Sequence, residues 1–182
     1  MNLGDNAVRP ASSEEHYRIS RFLFEEAALL DDRQYYAWLE LFSPDMEYRI
    51  PSRIHRQQIG LKDDWAVAKE LGQEDELPLT QHNRASLKAS IDRIASGRSV
   101  SDNPPWFTER VITNIVADHG LRDDEWLVRS KFVVQRYRMD REHFIFGNRQ
   151  DVITAEDGIF EIRKRTVILS TDSFRWSSIL YI

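Results

Sequence analysis

The sequence predicts an α+β fold in which helices pack against one face of a long, meandering antiparallel sheet. Residues 13–95 contain segments whose apolar side chains recur at helical spacing, whereas residues 106–170 contain four segments of β character separated by short turn signals. The turns are short enough for antiparallel hairpins. Each of the four segments spans about 11 to 14 residues, about twice the usual strand length, so the sheet must twist and curl around the helices into a cone.

The first two helices form a predicted hairpin that is rich in aromatic residues. Ser12 and Glu15 have the spacing of a capping box, and the apolar residues that follow predict a helix over 13–30. The acidic pair at 31–32 is expected to cap a second helix. Apolar side chains at i, i+3, i+4 and i+7 extend that second helix as far as Phe42.

The rest of the chain is predicted as one early strand, two further helices and the four long strands. Residues 46–50 alternate between apolar and charged side chains, and Pro51 then marks a strand end. Residues 64–71 are predicted as a short helix. A longer helix is bounded by its cap Asn83 and by Gly97, which stands where a left-handed terminator is expected. The long strands are predicted at residues 106–117, 126–139, 143–154 and 159–170.

The second long strand has one apolar face, which packs on the core, and one mixed face. On the mixed face, cations and an amide stand beside apolar side chains: Arg129, Lys131 and Gln135 beside Val133 and Tyr137. Such a mixture is typical of a protein interface, although an ordinary solvated surface also carries scattered apolar residues.

Arginine is concentrated in the strands, where its planar guanidinium can bind carboxylates across a subunit boundary; a solvated sheet face is the alternative. We therefore predict a subunit interface on these strands. Its candidate residues are Arg110, Arg129, Lys131, Tyr137, Arg149 and Arg165. No catalytic, cofactor-binding or metal-binding residue is predicted.

Composition excludes several classes of function. With 182 residues, 41% of them apolar, one domain is expected over 1–182, with residues 1–12 as a flexible N-terminal arm. A net charge of −5 with interspersed signs argues against binding nucleic acid or anionic lipid. Without a membrane-spanning segment or a signal peptide, a cytoplasmic location is expected. Cysteine is absent, which excludes disulfides, thiolate zinc sites and iron–sulfur clusters in this chain.

The five histidines show no spacing typical of a metal site or an acid–base site. His16, His119 and His143 stand in a helical turn, a loop and a strand start, where solvated histidines are ordinary, while His55 and His82 fall in the irregular middle of the chain. Glycine-rich phosphate loops and the GxSxG and GxGxxG motifs are also absent, which argues against the usual nucleotide sites.

A conical α+β domain can also enclose a pocket for a small hydrophobic substrate, as in ketosteroid-isomerase-like and dehydratase relatives of this fold. Tyr35, Tyr48, Asp45 and Asp31 would then supply the acid–base groups. However, Tyr35 shares a helical stripe with Trp38, which is typical of a packed core. A stand-alone isomerase or dehydratase is therefore the alternative function, and a small-ligand-binding or dimerising module is a third.

The beta subunits of aromatic-ring-hydroxylating dioxygenases open with a pattern similar to residues 22–53, FLFEEAALLDDRQYYAWLELFSPDMEYRIPSR. In that family, an acidic Leu-Leu-Asp helix end precedes Tyr, Trp, Leu and Phe, and a Tyr-containing strand ends in Pro. The family's Phe, Gly, Arg, Asp pattern is similar to FIFGNRQDVI at 144–153, and its final long strand to GIFEIRKRTVILS at 158–170. The similarity in order and spacing covers most of the chain.

This resemblance implies a cone-shaped NTF2-like, or cystatin-like, fold and the role of a small structural subunit of a terminal oxygenase. It also implies a catalytic alpha subunit as partner, carrying a Rieske [2Fe-2S] cluster and a mononuclear Fe(II), and a beta trimer within an α3β3 hexamer. Such enzymes use NAD(P)H to dihydroxylate aromatic compounds. Because a Rieske cluster needs cysteine ligands, the redox chemistry would have to lie on another polypeptide.

One segment departs from the family's pattern. After a Pro-Pro pair the family usually continues with Ser, Arg, Thr, Arg and His, whereas this chain has WFTER at 106–110. Thr108 keeps the pattern. The aromatic pair that precedes it, Trp106 and Phe107, is expected to remodel the contact with a partner subunit, which adds both residues to the interface candidates.

Overall fold

The computed structural model describes residues 9–55, 66–73, 76–172 and 181–182. Within these ranges, three α-helices pack on one six-stranded sheet. None of these helices is both long and apolar enough to cross a bilayer. The helices are α1 (Ser13–Asp31), α2 (Tyr35–Leu39) and α3 (Arg84–Ala95). The strands are β1 (Phe42–Ile50), β2 (Thr80–His82), β3 (Phe107–His119), β4 (Glu125–Arg138), β5 (Arg141–Glu156) and β6 (Ile159–Leu169).

The sheet has the strand order β2-β1-β6-β5-β4-β3. Strands β3 to β6 form the predicted antiparallel meander, with each strand paired to the next along the chain. At the other side, β1 pairs with β6 in parallel, and β2 pairs with β1 in an antiparallel manner. The meander is therefore confirmed, and the parallel junction adds the early strand to it.

Local signals fix the ends of two helices as predicted. The Ser12 side chain accepts a hydrogen bond from the Glu15 backbone at 3.2 Å, and the Glu15 carboxylate accepts one from the Ser12 backbone at 2.8 Å. Asn83 caps α3, and Gly97 follows that helix with φ +67°, in the left-handed region. These reciprocal bonds satisfy backbone groups that a helix end leaves without intrahelical partners.

The second helix differs from its prediction. It ends at Leu39, and Phe42 begins β1 instead. The i, i+4 spacing of Trp38 and Phe42 is typical of a helix, and the two rings do pack together, with centroids 5.0 Å apart. The chain, however, turns between them and leaves the helix. The acidic pair at 31–32 does not cap α2 either, since it ends and caps α1, and the residue before α2 is Gln34, with no side-chain cap.

The middle of the chain contains two further differences. Residues 64–71 were predicted as a helix; within the described part, a single 3-10 turn covers Val67–Glu70, and positions 64–65 lie outside the described residues. The strand β2 was not predicted, because three residues are too few to show an alternation.

The core lies between the helices and the concave face of the sheet. One cluster surrounds Trp38 and includes side chains from all three helices, and a second joins α1 to the ends of β3, β4 and β5. The described part of the expected N-terminal arm runs along β3, where Ala11 donates to the Ala117 carbonyl at 3.0 Å. The remainder of that arm, residues 1–8, lies outside the described residues.

Candidate functional site

The outer face of the sheet, opposite the helices, carries several of the candidate interface residues. Side chains along β4 alternate between the core and this face as predicted, which leaves Arg129, Lys131 and Tyr137 outside. Phe107 at the start of β3 is 68% exposed and lies opposite Tyr137. Arg129 is held by Asp118, at 3.0 Å.

Apolar side chains make this face continuous across three strands. Val111 lies opposite Val133, which in turn lies opposite Phe146, and Phe144 follows on the same face of β5. Sequence reasoning missed Val111, Phe144 and Phe146, although strand alternation from Phe107 would have found the first. Contiguous exposed apolar surface of this kind marks interaction sites. We call the following residues the outer patch: Phe107, Val111, Val133, Tyr137, Phe144 and Phe146.

Arg149 and Arg165 do not lie on the outer face. Their residues are 1% and 0% exposed, so these two candidate interface residues are buried inside the chain. Arg149 lies opposite the inward-facing Ser130, and Arg165 lies opposite Asp151. Because residues directly opposite each other share a face of the sheet, both guanidinium groups point toward the helices.

These two arginines belong to a network of four buried charges. Glu26 Oε2 lies 3.0 Å from Arg149 Nη1 and accepts from Arg165 Nη2 at 3.1 Å. Arg165 donates to the Asp151 carboxylate from Nε at 2.8 Å and from Nη2 at 3.1 Å. Trp38 Nε1 donates to Glu26 Oε1 at 2.9 Å. Two cations and two anions thus compensate each other and tie α1 to β5 and β6.

The electrostatics of the network keep Glu26 ionised. Burial by itself raises the pKa of this carboxyl group, but Arg149 and Arg165 outweigh it and lower the pKa to about 2. Burial likewise lowers the pKa of Arg165, yet Asp151 and Glu26 raise it above its ordinary value. Since neither Glu26 nor Arg165 exchanges a proton near neutral pH, neither is suited to act as a general acid or base.

A cavity of about 270 Å³ opens next to the chain segment that leads into β3. Among its lining residues are Trp106, Tyr35 and Tyr181 and two arginines, Arg110 and Arg136. The Arg136 guanidinium stacks over the Trp106 ring, 4.4 Å from its centroid. Aromatic and cationic side chains therefore share this concave surface.

Two of the candidate interface residues face this cavity and not the outer patch. Trp106 Nε1 donates to the Ser101 carbonyl at 3.2 Å, which fixes the ring at the cavity wall. The Arg110 side chain is 4% exposed, binds the Asp31 carboxylate, and donates to the Tyr181 carbonyl at 2.8 Å. The aromatic pair at 106–107 is therefore divided, with one ring facing inward and the other outward.

The acid–base candidates of the alternative function do not meet at one site. Tyr48 is buried, and its hydroxyl hydrogen-bonds the backbone of Ile182. Asp45 is a surface group, and Asp31 is bound to Arg110. Of the four candidates, Tyr35 lines the cavity. The geometry thus disfavours a shared catalytic pocket.

The histidines are likewise dispersed. His16 Nε2 hydrogen-bonds the Ile115 carbonyl at 2.9 Å, His55 is a surface side chain 3.5 Å from Asp172, and burial lowers the pKa of His82. None of the five lines the cavity. Across 9–55, 66–73, 76–172 and 181–182, no group of three or more His, Asp or Glu side chains is arranged to hold a metal ion.

Comparison with known proteins assigns the family. The model of the ring hydroxylating beta subunit family matches residues 25–175. The chain belongs to this family. A curated relative, the biphenyl 2,3-dioxygenase subunit beta of Rhodococcus jostii, is 31% identical over 163 residues, which cover 88% of this chain and 84% of that one. The resemblance seen in the sequence is therefore confirmed, and the chain is a beta subunit of a ring-hydroxylating dioxygenase.

Solved structures confirm the fold class. A structure of naphthalene 1,2-dioxygenase with indole bound in the active site superposes on this beta subunit with a TM-score of 0.77 at 22% identity, covering 91% of this chain and 84% of that chain. A putative scytalone dehydratase from Novosphingobium aromaticivorans gives a TM-score of 0.59 at 18% identity, covering 88% of both chains. The predicted cone-shaped NTF2-like fold is thus shared by oxygenase subunits and dehydratase-like proteins.

Proposed function

We propose that this beta subunit is a non-catalytic, structural component of a terminal oxygenase that dihydroxylates an aromatic compound with electrons from NAD(P)H. Its task would be to assemble and support catalytic alpha subunits. The observation that carries the proposal is the buried network of Glu26, Arg149, Asp151 and Arg165. These ion pairs occupy the interior of the cone, where an acid–base enzyme would need a titrating group. The Glu26 carboxylate in their centre, with its pKa lowered to about 2, exchanges no proton near neutral pH.

We infer that the redox centres reside in the alpha subunit. The sequence contains no cysteine, and a Rieske cluster is held by two cysteines and two histidines. The Rieske [2Fe-2S] cluster is therefore assigned to the partner. By the same division of labour between the subunits we assign the mononuclear Fe(II) to the partner as well, and we place the complex in the cytoplasm.

We further propose that the outer patch, with Arg129 and Lys131 at its border, is buried between subunits. A sheet face with exposed aromatic side chains and flanking cations has the composition of an interface. Beta subunits would form a trimer within an α3β3 hexamer, each as one domain over 1–182.

Co-expression tests this function directly. The chain would be produced with and without an alpha subunit of a ring-hydroxylating dioxygenase, and each product would be analysed for mass, iron content and oxygenase turnover. We expect a stable complex whose iron stays with the larger subunit when the two are separated, and no isomerase or dehydratase turnover by the beta subunit alone. A small oligomer that ignores the alpha subunit and converts a hydrophobic substrate by itself would refute the proposal and favour the alternative.

A further inference from the structure

We propose that the cavity beside Trp106 is a binding site for a small aromatic carboxylate. The ring of the ligand would lie against Trp106 and Tyr35, and its carboxylate would accept hydrogen bonds from Arg110 and Arg136. Such a site goes beyond the proposed function, because supporting the catalytic subunits requires no ligand in this chain.

The charge around the cavity favours an anion. Among the residues that the structure describes, two carboxylates stand at the cavity: Asp31 binds Arg110, and Asp102, which lines the cavity, accepts from the Ser101 hydroxyl at 3.0 Å. Four guanidinium groups face them, so that a local excess of positive charge remains for a ligand of opposite sign. These groups belong to Arg33, Arg110 and Arg136, which line the cavity, and to Arg138, 5.4 Å from the Trp106 ring.

Two of these arginines, Arg110 and Arg136, are buried. Arg136 is 2% exposed, and burial lowers its pKa to about 10, although attraction to the Asp102 carboxylate opposes this shift. A desolvated cation of this kind gains more from a bound anion than a solvated one does. Arg110 Nε is buried and has no hydrogen-bond partner among the described residues, so a donor is available on the same wall.

The shape and the aromatic lining define the rest of the ligand. A volume of about 270 Å³ lies just below the ~300–1,000 Å³ of pockets for drug-sized molecules, so a ligand with a single ring fits. The rings of Tyr35 and Tyr181 meet edge to face at 5.8 Å and continue the wall that Trp106 begins. Aromatic walls favour a flat ring, whereas inorganic anions would leave them uncovered.

Benzoate is the probe for this site, and benzamide is its neutral counterpart of nearly the same shape. The full-length chain would be titrated with each compound, with binding followed by calorimetry and tryptophan fluorescence. We expect saturable binding of benzoate to one site per chain. Benzamide should bind at least about tenfold more weakly, since it lacks the charge-assisted hydrogen bonds. Acetate, which has the charge without the ring, should also bind more weakly.

Three substitutions test the assignment. Arg136→Gln should weaken benzoate binding at least about tenfold, because it removes the buried cation. Thr108→Phe keeps every charge but fills the cavity from its wall, and should abolish binding. Arg163→Gln is the control, since it removes an arginine that binds Asp45 at the surface away from the cavity lining, and should leave the affinity unchanged. Circular dichroism would verify the fold of each variant. If Arg136→Gln does not fold, the result for Thr108→Phe alone tests the proposal.

The proposal is overturned if benzoate and benzamide bind equally, or if a folded cavity variant binds benzoate like the wild type. It is also overturned if assembly with the alpha subunit abolishes benzoate binding, since a partner side chain would then occupy the cavity. Failure of the proposed function is a separate result: the beta subunit would still bind benzoate but would not assemble with the alpha subunit.

Discussion

Glu26 is the central residue of the buried network. It accepts hydrogen bonds from side chains of two elements and forms an ion pair with a side chain of a third. Its carboxylate meets Arg165 of β6, Arg149 of β5 and Trp38 of α2. A compensated network of this kind contributes little net stability compared with apolar packing. Removal of one member, however, leaves an uncompensated charge inside the fold.

Glu26→Gln is therefore expected to destabilise the chain by about 3–5 kcal/mol, since Arg149 and Arg165 would keep one carboxylate between them. Equilibrium unfolding in urea measures the change. The matched control is Glu25→Gln on the preceding residue, which breaks an exposed ion pair with Arg21. That control should unfold like the wild type, and a similar loss in both variants would contradict the role of the network.

The same residue predicts a dependence of stability on pH. The pKa of Glu26 in the folded state is about 2, below its ordinary value of 4.5, so the folded state favours the ionised form. Its contribution to stability is complete above about pH 5 and is lost as the pH falls toward 2. Between pH 5 and pH 2 the free energy of unfolding should fall by about 3 kcal/mol more in the wild type than in Glu26→Gln. Urea unfolding at a series of pH values would measure both proteins. Parallel pH profiles of the two proteins would refute the assignment.

Among the elements, β5 comes very close to both neighbouring strands at Gly147. Gly147 lies opposite Phe132 of β4 and Leu169 of β6. A Cβ atom at this position would stand 2.5 Å from the Phe132 ring and 2.5 Å from the Ile168 carbonyl oxygen. Both distances are far below van der Waals contact, so the neighbouring strands would have to move.

We expect Gly147→Ala to destabilise the chain by about 1–3 kcal/mol through this overpacking. Thermal and urea unfolding would measure it. Gly120→Ala provides the comparison, because a Cβ there meets the flexible side chain of Glu125, which can swing away. Its effect should stay within about 0.5 kcal/mol. If both alanine variants lose the same free energy of unfolding, the space at Gly147 is not too small for a Cβ atom and the prediction is wrong.

The elements that the sequence predicted well are those with local signals. The capping box at Ser12 and the turn residues between the long strands act within a few positions, and the structure has these ends within a few residues of the prediction. The partner of β1 could not be predicted, because the pairing of Tyr48 with Arg165 joins distant parts of the chain. Helical spacing also could not show that the chain turns before Phe42.

The buried network shows why the candidate site was predicted less well. On β5, Arg149 and Asp151 are separated from the core residues Ile145 and Ile153 by even numbers of positions. Strand alternation therefore places all four side chains on the core face of the sheet. A buried arginine is nevertheless improbable unless its counter-charge is known. That counter-charge is Glu26 on a helix at the other end of the sequence, which only the tertiary structure brings close.

The whole molecule has two unlike faces. The concave side of the sheet is closed by helices and by compensated charges, whereas the convex side leaves Phe107, Phe144 and Phe146 more than half exposed. Exposure of these apolar side chains to water is unfavourable in free energy for the isolated chain, and association with another subunit would remove this penalty by burying the outer patch. We therefore expect assembly to depend on the patch and the fold to be independent of it.

Phe146→Glu tests that separation, because it places a charge opposite Val133 in the middle of the outer patch. The isolated chain should keep its unfolding free energy, since the replaced side chain is 52% exposed, but complex formation should weaken by about 30-fold or more, as for a residue at the centre of an interface. Leu121→Glu is the control, as this residue is 94% exposed in the turn before β4 and lies outside the patch. Mass photometry of each variant co-expressed with the alpha subunit would measure assembly. A Phe146→Glu chain that assembles like Leu121→Glu would show that the patch stays in solvent within the complex.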